Sequence, residues 1–595
     1  MSGTQRMNGL LISAAHKSSG KTTVSVGLCA ALTARGHVVQ AFKKGPDYID
    51  PMWLSQASGR ACFNLDPHLS TPAQVQACYT HLSTKADISI VEGNKGLYDG
   101  LALDGANSNA ALATQLGLPV VLVIDARGMT RGIAPLILGY QAFDPAVRIA
   151  GVILNQVGGT RHEAKLRAVI EHYTPVKVLG AIAQDQRLAV VERHLGLVPQ
   201  HEMDDARQRV AAIGEVIGGQ VDLNHVMEIS RSANSLIQPR ALSSEPSKAR
   251  ATNMAGLRIG IAHDKAFGFY YPDDLCAFER MGASLHRFDC LNDNKLPEVD
   301  ALFIGGGFPE MFMAELEANA SMRSSIRSAI DNGMPVYAEC GGLMYLSRQI
   351  HWNGQSREMV GALPVDVRMH TRPVGRGYVE LATTPDALWT SSAEADAPEA
   401  AQSLIKGHEF HYSSIENAPS DLKFAYIVKR GHGVDGHCDG IVHKQVLASY
   451  AHLRYRAGST WVRDFLNFVQ SRNAASVGLA KPGARHVKVN GDPVWTDIEG
   501  YLLRMDDWSE AFAHAQAQSE NLVLTDAHWD VIRYLRLYFE EHRVQAQVRV
   551  MIMHFSQCWG PERGSNHHLH AMFPMGGPQK QGNRLAGLWK TKGEH

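Results

Sequence analysis

The chain has 595 residues, too many for one hydrophobic core, so three or four domains of roughly 150 residues are expected. Hydrophobic residues make up 45%, charged residues 20%, and the net charge is −1. This balance excludes a general binder of nucleic acid or anionic membrane, so a negatively charged ligand needs a local site.

The eight cysteines stand at 29, 62, 78, 276, 290, 340, 438 and 558, with no CxxC pair. A disulfide scaffold or zinc ribbon is therefore not expected. The N-terminus has too short an apolar stretch for a signal peptide, and no apolar run of about 20 residues exists. The reading is a cytoplasmic protein that takes no nucleic acid and no membrane as partner.

Residues 7–225 alternate short apolar runs with helical patterns. The strand candidates are "GLLISAA", "SIVEG", "PVVLVIDA" and "IAGVILNQV". Such alternation predicts an α/β fold with a mostly parallel sheet covered on both faces. The stretch 230–253 is rich in Ser, Pro and polar residues and reads as a linker. A second α/β pattern runs from "LRIGIAHD" at 257 to about 473. The last segment, from about 486, is largely helical in pattern, with a helix starting at Thr525-Asp526. The expected domains are 1–229, 254–473 and 486–595.

"SAAHKSSGKTTVSVGL" (13–28) follows a strand and opens a helix. Gly20, Lys21, Thr22 and Thr23 end a P-loop, although Ala15 stands where a first glycine is usual. Backbone N–H groups and the helix N-terminus favour phosphate, Lys21 reaches the outer phosphates, and the Thr22 hydroxyl suits Mg²⁺. Glu92, closing the strand of "SIVEGNKGLYDG", is placed to bind Mg²⁺ directly or through water.

With "AFKKGPDYIDP" (41–51), the chain resembles the cobyrinic acid a,c-diamide synthase family, whose ATPase domain is similar to dethiobiotin synthetase. "GVILNQVGGTRH" (151–162) and "VERHLGLVP" (191–199) extend the likeness, which covers roughly residues 8–470. The resemblance implies ATP-dependent activation of a carboxylate as an acyl phosphate, with cations to spread the charge. Lys21 and Lys43 are then expected on phosphate, and Thr22, Asp47 and Glu92 on Mg²⁺. Tyr48 and Asp50 face the acyl substrate or serve as turn residues around Gly45-Pro46. Asn155 and Gln156 are candidates for the adenine edge.

"PVYAECGGLMYL" (335–346) places Cys340 between a strand and a helix, with two glycines behind it. A lone cysteine after a strand is usually a small buried hydrophobe. A sharp turn with small neighbours instead lifts the side chain into the open, and the helix N-terminus favours thiolate. Backbone N–H groups of Gly341 and of Gly306 and Gly307 in "FIGGGFPE" are candidates for an oxyanion hole. A thiol nucleophile needs a base, and His408, His411 and His452 are available. This region resembles class I (triad-type) glutamine amidotransferases, which have a flavodoxin-like fold. The resemblance selects His452, after the strand "VLASYAH", and leaves "GHEFHYSS" structural or substrate-facing. No acid is evident after His452, so a Cys–His dyad is expected. Cys340 would release ammonia from L-glutamine for use at the ATP site, by a path shielded from water.

"VNGDPVWTDIEGYLLRMDDWSEAFA" and "LTDAHWDVIRYLRLYFEEH" resemble the sulfur-relay proteins that serve as gamma subunits of dissimilatory sulfite reductase (DsrC/TusE-like). The likeness covers nearly all of 486–595. The family carries sulfur on cysteines, but Asn583 and Glu594 stand at the matching positions and neither can form a thiolate. Cys558, in "FSQCWGP", lies elsewhere and reads as structural. A module for docking to sulfite-reductase or sulfur-relay proteins, or for regulation, is expected, with a degenerate relic as the alternative. A homodimer is one assembly considered.

The resemblance implies amidation of acetate arms on a tetrapyrrole. Cobyrinate is the family substrate. Sirohaem is the competing one, suggested by the fused segment and by Asn94-Lys95 in place of an apolar pair. The alternative from another class is a non-catalytic regulatory or assembly ATPase.

Overall fold

The computed structural model describes the chain apart from residues 1–6, 189–191, 194, 195, 198, 200–202, 204, 235–253, 255, 390–403, 457, 458, 481–484, 504, 543 and 591–595. Most of the linker at 230–253, parts of the 191–199 motif and Glu594 lie outside the described residues. The chain divides into two compact units, Met1–Leu466 and Asn467–His595.

Seven parallel strands build the first sheet of the larger unit. They are β1 (Gly9–Ala14), β2 (Val39–Lys44), β3 (Phe63–Leu65), β4 (Ile88–Glu92), β5 (Val120–Asp125), β6 (Ile149–Val157) and β7 (Lys177–Ala183), in the order β3-β2-β4-β1-β5-β6-β7. The four expected strands are β1, β4, β5 and β6. β1 and β2 are buried along their whole length, as strands covered on both faces are. β2 escapes a pattern search because it ends in two buried lysines, Lys43 and Lys44. Pairing of β2 with β4 sets Lys43 beside Glu92. Because β1 lies between β4 and β5, the loops after β1, β2 and β4 open at one end of the sheet, where ligands bind in open α/β folds.

The second sheet has nine strands. In spatial order these are Ser284–Phe288, Arg258–Ala262, Ala301–Ile304, Val336–Glu339, Val446–Ser449, Cys438–His443, Lys423–Arg430, Gly375–Thr383 and Ile405–His411. The first five are parallel and the rest antiparallel. Glu339 pairs with Ser449 at the sheet centre, so Cys340 and the chain leaving for His452 emerge side by side.

The boundary between the units falls within the helix Trp461–Ala480, and a hairpin, Arg485–Val489 and Asp492–Thr496, follows it in the smaller unit. Its turn residues Asn490 and Gly491 have φ of 53° and 97°, the left-handed pair a two-residue hairpin requires. Helices Glu510–Ser519, Asp526–His542, Val548–Trp559 and Asn566–Met572 follow. Val531, Leu535, Met551, Phe555, Leu569 and Leu585 form part of their core. Asn583 is fully buried there, and its amide donates to the Gln579 carbonyl at 2.6 Å. Among the described residues no helix is long and apolar enough to cross a membrane.

Candidate active site

The loop after β1 turns through Gly20, with φ 90°, into helix α1 (Lys21–Ala34). A Cβ at Gly20 would lie 2.1 Å from the Asn155 side-chain nitrogen, so glycine is required for space as well as for φ. Asn155 donates to the Ser19 carbonyl at 2.9 Å and is buried. Its amide therefore braces the loop from behind. Its neighbour Gln156 has φ 59°. Thr23 lies half-buried in the first turn of α1.

Five side chains, Thr22, Lys43, Asp47, Asp50 and Glu92, converge beside this loop. Lys43 donates to Asp50 at 2.5 Å and to Glu92 at 2.8 Å, with Asp47 at 3.8 Å. Thr22 donates to Glu92 at 2.6 Å and to Asp50 at 3.3 Å. Asp47 also accepts from the N–H groups of Ile49 and Asp50, at 2.9 and 3.1 Å, and so fixes the start of helix α2 (Ile49–Ser58). Burial and the Asp50 charge push the Asp47 carboxyl up to about 7. Burial also raises Glu92, against the pull of Lys43, and lowers Lys21. Glu92 keeps one buried carboxylate oxygen, Oε2, with no hydrogen-bond partner.

Two expectations change here. Lys43, expected on phosphate, has its ammonium held among the carboxylates. Asp50, considered for the acyl substrate, belongs to the same cluster. Among the described residues no group of three or more His, Cys, Asp or Glu is arranged to hold a metal ion, and Lys43 occupies the centre of the acids. Asn94, the departure noted in "EGNKGLYDG", accepts from Lys44 at 3.2 Å, while Lys95 is exposed with φ 42°.

Cys340 has φ 48° and ψ −101°, a strained conformation for a residue with a side chain, directly before the helix Gly341–Leu346. It is 7% exposed. Its own N–H donates to the Ser449 carbonyl at 2.7 Å and is not free for an oxyanion. The candidate glycines do gather here. A Cβ at Gly341 would lie 2.9 Å from the Gly307 nitrogen, and one at Gly306 would lie 2.8 Å from the His452 ring.

His452 is buried, and its Nδ1 lies 3.2 Å from Glu339 Oε2. Glu339 Oε1 accepts from the Tyr337 hydroxyl and the Leu453 N–H, at 2.8 and 2.9 Å. Burial alone would lower His452, but hydrogen bonds to Cys340 and Glu339, with their charges, raise it to about 10. The expected dyad is thus corrected to a Cys340–His452–Glu339 array. The acid precedes the cysteine instead of following the histidine. Its signal was an acid at the end of the otherwise apolar "PVYAE".

His408 and His411 are placed differently. His408 stacks on His452 with centroids 4.9 Å apart, and burial drives its pKa well down, so it stays neutral. His411 stacks on Tyr450 at 3.8 Å, with Nδ1 on the Ser413 carbonyl. Tyr48, considered for the acyl substrate, is instead buried among Phe269, Tyr271 and Phe308.

Residues 11–198 match the CobQ/CobB/MinD/ParA nucleotide binding domain, 258–459 the CobB/CobQ-like glutamine amidotransferase domain, and 488–593 the DsrC like protein family. A nucleotide-binding domain joined to a glutamine amidotransferase domain defines the class: a glutamine-dependent amidoligase. Over 471 residues the chain is 43% identical to cobyrinate a,c-diamide synthase of Magnetococcus marinus, covering 79% of this chain and 99% of that protein. It is 44% identical over 468 residues to the same-named protein of Methanosarcina acetivorans, covering 75% and 92%. The chain belongs to the cobyrinate a,c-diamide synthase family. The NMR structure of Allochromatium vinosum DsrC is 38% identical and covers 19% of this chain and 99% of that one, with a TM-score of 0.18.

Proposed function

We propose that this protein amidates acetate carboxylates of cobyrinate, using ATP and L-glutamine, in the cytoplasm. The observation that carries the reading is the strained Cys340 beside His452 and Glu339, in one compact unit with the P-loop and its carboxylates. The domain limits 1–229, 254–473 and 486–595 belong to this proposal as one working part per step, with the last as an appended module.

In the first site, the Cys340 sulfur attacks the glutamine amide carbon. His452 gives its proton to the departing nitrogen, the C–N bond breaks, and ammonia leaves a glutamyl thioester that water hydrolyses to glutamate. The N–H groups of Gly307 and Gly341 are assigned to the oxyanion. In the second site, a substrate carboxylate takes the γ-phosphoryl group of ATP, and ammonia then displaces phosphate to give the amide. Lys21 stabilises the charge on the transferred group. The orphaned Glu92 Oε2, with the Thr22 hydroxyl and Asp47 nearby, fits Mg²⁺, which would neutralise phosphate charge there. Lys43 now supplies the positive charge among these acids.

A second substrate is favoured by one observation, the DsrC-like segment at 488–593. Sirohaem also carries acetate arms, and this segment would dock the enzyme to sulfite-reductase or sulfur-relay proteins. Incubation with ATP, Mg²⁺ and glutamine, against cobyrinate and sirohaem separately, tests both. Conversion of OH to NH₂ is read by mass spectrometry. Amidation of cobyrinate supports the reading. Amidation of sirohaem alone replaces the substrate, and no amidation of either overturns the function.

Glu339→Gln is expected to lower glutamine hydrolysis by roughly 10²-fold, the scale of losing one well-placed acid–base partner. The carboxylate favours the charged imidazolium. Its removal lowers the His452 pKa, so the alkaline limb of kcat/KM moves to lower pH. An unmoved limb would show that Glu339 only supports the fold.

A further inference from the structure

Asp439 is fully buried in the strand Cys438–His443, and no step of the proposed reactions uses it. A buried carboxylate is costly unless donors meet its oxygens. Asp439 meets four. Its Oδ1 accepts from the N–H groups of Gly440 and Tyr450, at 2.8 and 3.0 Å. Its Oδ2 accepts from the Ser449 hydroxyl and the Ala451 N–H, at 2.7 and 2.9 Å. None of the four donors is a cation. Burial raises the pKa of the carboxyl, and the same four donors oppose the rise.

Three of these donors are consecutive residues, Ser449, Tyr450 and Ala451. They form the segment by which the chain leaves the strand Val446–Ser449 for His452. That strand pairs antiparallel with Cys438–His443, and the paired register ends at Ile441 and Ala448. Gly440, at φ 71°, bends the neighbouring strand at this point. Past the end of the ladder, the Asp439 side chain takes the N–H groups of Tyr450 and Ala451.

The gripped segment carries two parts of the cysteine site. Its first residue, Ser449, supplies the carbonyl that accepts the Cys340 N–H at 2.7 Å and so helps to hold the nucleophile at φ 48°. Its last residue, Ala451, directly precedes His452. Beyond that, His452 exchanges backbone hydrogen bonds with His408 at 2.8 and 3.2 Å, and Glu339 meets its ring. Glu339 thus orients the imidazole, while Asp439 fixes the backbone that leads to it.

The site demands a group that only accepts. Asparagine has the same shape, but its NH₂ would face at least one backbone N–H whichever way the amide is turned. A backbone N–H cannot rotate away as a hydroxyl can, so the segment would have to move.

We propose that Asp439 is a positioning residue for glutamine hydrolysis, holding Ser449–Ala451 so that Cys340 and His452 stay in register. This rests on the glutaminase reading above and adds a residue outside the Cys340–His452–Glu339 array.

The test uses the full chain as wild type, Asp439→Asn and Ser449→Ala. Glutamate release gives kcat and KM. Alkylation of Cys340 by iodoacetamide is followed against pH and read on its peptide by mass spectrometry. Circular dichroism reports folding. Asp439→Asn is expected to lower kcat by about 10- to 100-fold, the scale of a catalytic pair moved out of alignment. KM for glutamine stays close to wild type. The alkylation profile moves to higher pH, because a thiolate displaced from its imidazolium loses the charge that favours it. Ser449→Ala removes one donor and lowers kcat by about two- to ten-fold, the scale of one hydrogen bond, with a smaller shift of the profile in the same direction.

Wild-type kcat in both variants overturns the proposal. So does a fall in kcat with an unmoved alkylation profile, since Asp439 would then support the fold without setting the pair. If Asp439→Asn does not fold, Ser449→Ala decides, and an unmoved kcat or profile there overturns the proposal. A wild type that releases no glutamate overturns the glutaminase reading itself, and the role of Asp439 falls with it.

Discussion

Cys340→Ser is expected to lower glutamine-dependent amidation by about 10³-fold or more, the scale of losing a catalytic nucleophile. Ammonia supplied directly should still be incorporated. Serine is close in size and can occupy the site 7% exposed at the head of its helix. Its hydroxyl is a much weaker nucleophile than a thiolate. The backbone at φ 48° is held by the neighbouring strand, through the bond from the Cys340 N–H to Ser449, and that bond survives the change. The carboxylate cluster around Lys43 uses residues from β2, β4 and the start of α2, a different set from Cys340, His452 and Glu339. Measuring amidation with glutamine and with ammonium chloride separates the two sites. If both nitrogen sources fail together, Cys340 does more than release ammonia. If neither changes, the nucleophile is elsewhere.

How much of this was legible depends on how far apart the partners lie in sequence. The strained turn at Cys340 could be read locally, because the strand, the cysteine and Gly341-Gly342 are consecutive. The P-loop is local for the same reason. Glu339 is adjacent to Cys340, yet its role lies in a bond to His452, 113 residues away. That bond exists only because the strands ending at Glu339 and Ser449 are paired. Likewise, the grip of Glu92 on Lys43 follows from the order of β2 and β4, which no spacing reveals. The motif around Tyr48 was visible, but the direction of its ring was not. A string such as PDYIDP fixes neither which side chain faces phosphate nor which faces another sheet. Asn155 shows the same limit: its position after a strand was clear, but its use as a brace for Ser19 depends on packing. In the smaller unit, the missing thiol at 583 could be read directly. The structure adds that Asn583 is a buried part of the core, hydrogen-bonded to Gln579.

Lys21→Ala and Glu92→Gln should give the opposite pattern to Cys340→Ser: amidation falls by roughly 10²–10³-fold with either nitrogen source, as when a preorganised charge is removed from a transferring group. Lys21 opens α1 directly behind Gly20, where the proposed reaction puts phosphate charge, and burial lowers its pKa, so an anionic partner would favour its ammonium form. Glutamine in place of Glu92 keeps the shape and one acceptor for Thr22, but removes a charge. Lys43 is then balanced by Asp50 and Asp47 alone, and the buried Oε2 position no longer offers a carboxylate oxygen. Because ammonia enters after this step, supplying it cannot rescue a carboxylate that was never activated. Phosphate release measured with amide formation distinguishes failed activation from failed trapping. If Lys21→Ala retains ammonia-driven amidation within a few-fold, the P-loop does not serve this reaction. The two variant classes together then assign each half of the larger unit its own chemical step, whichever tetrapyrrole is the acceptor.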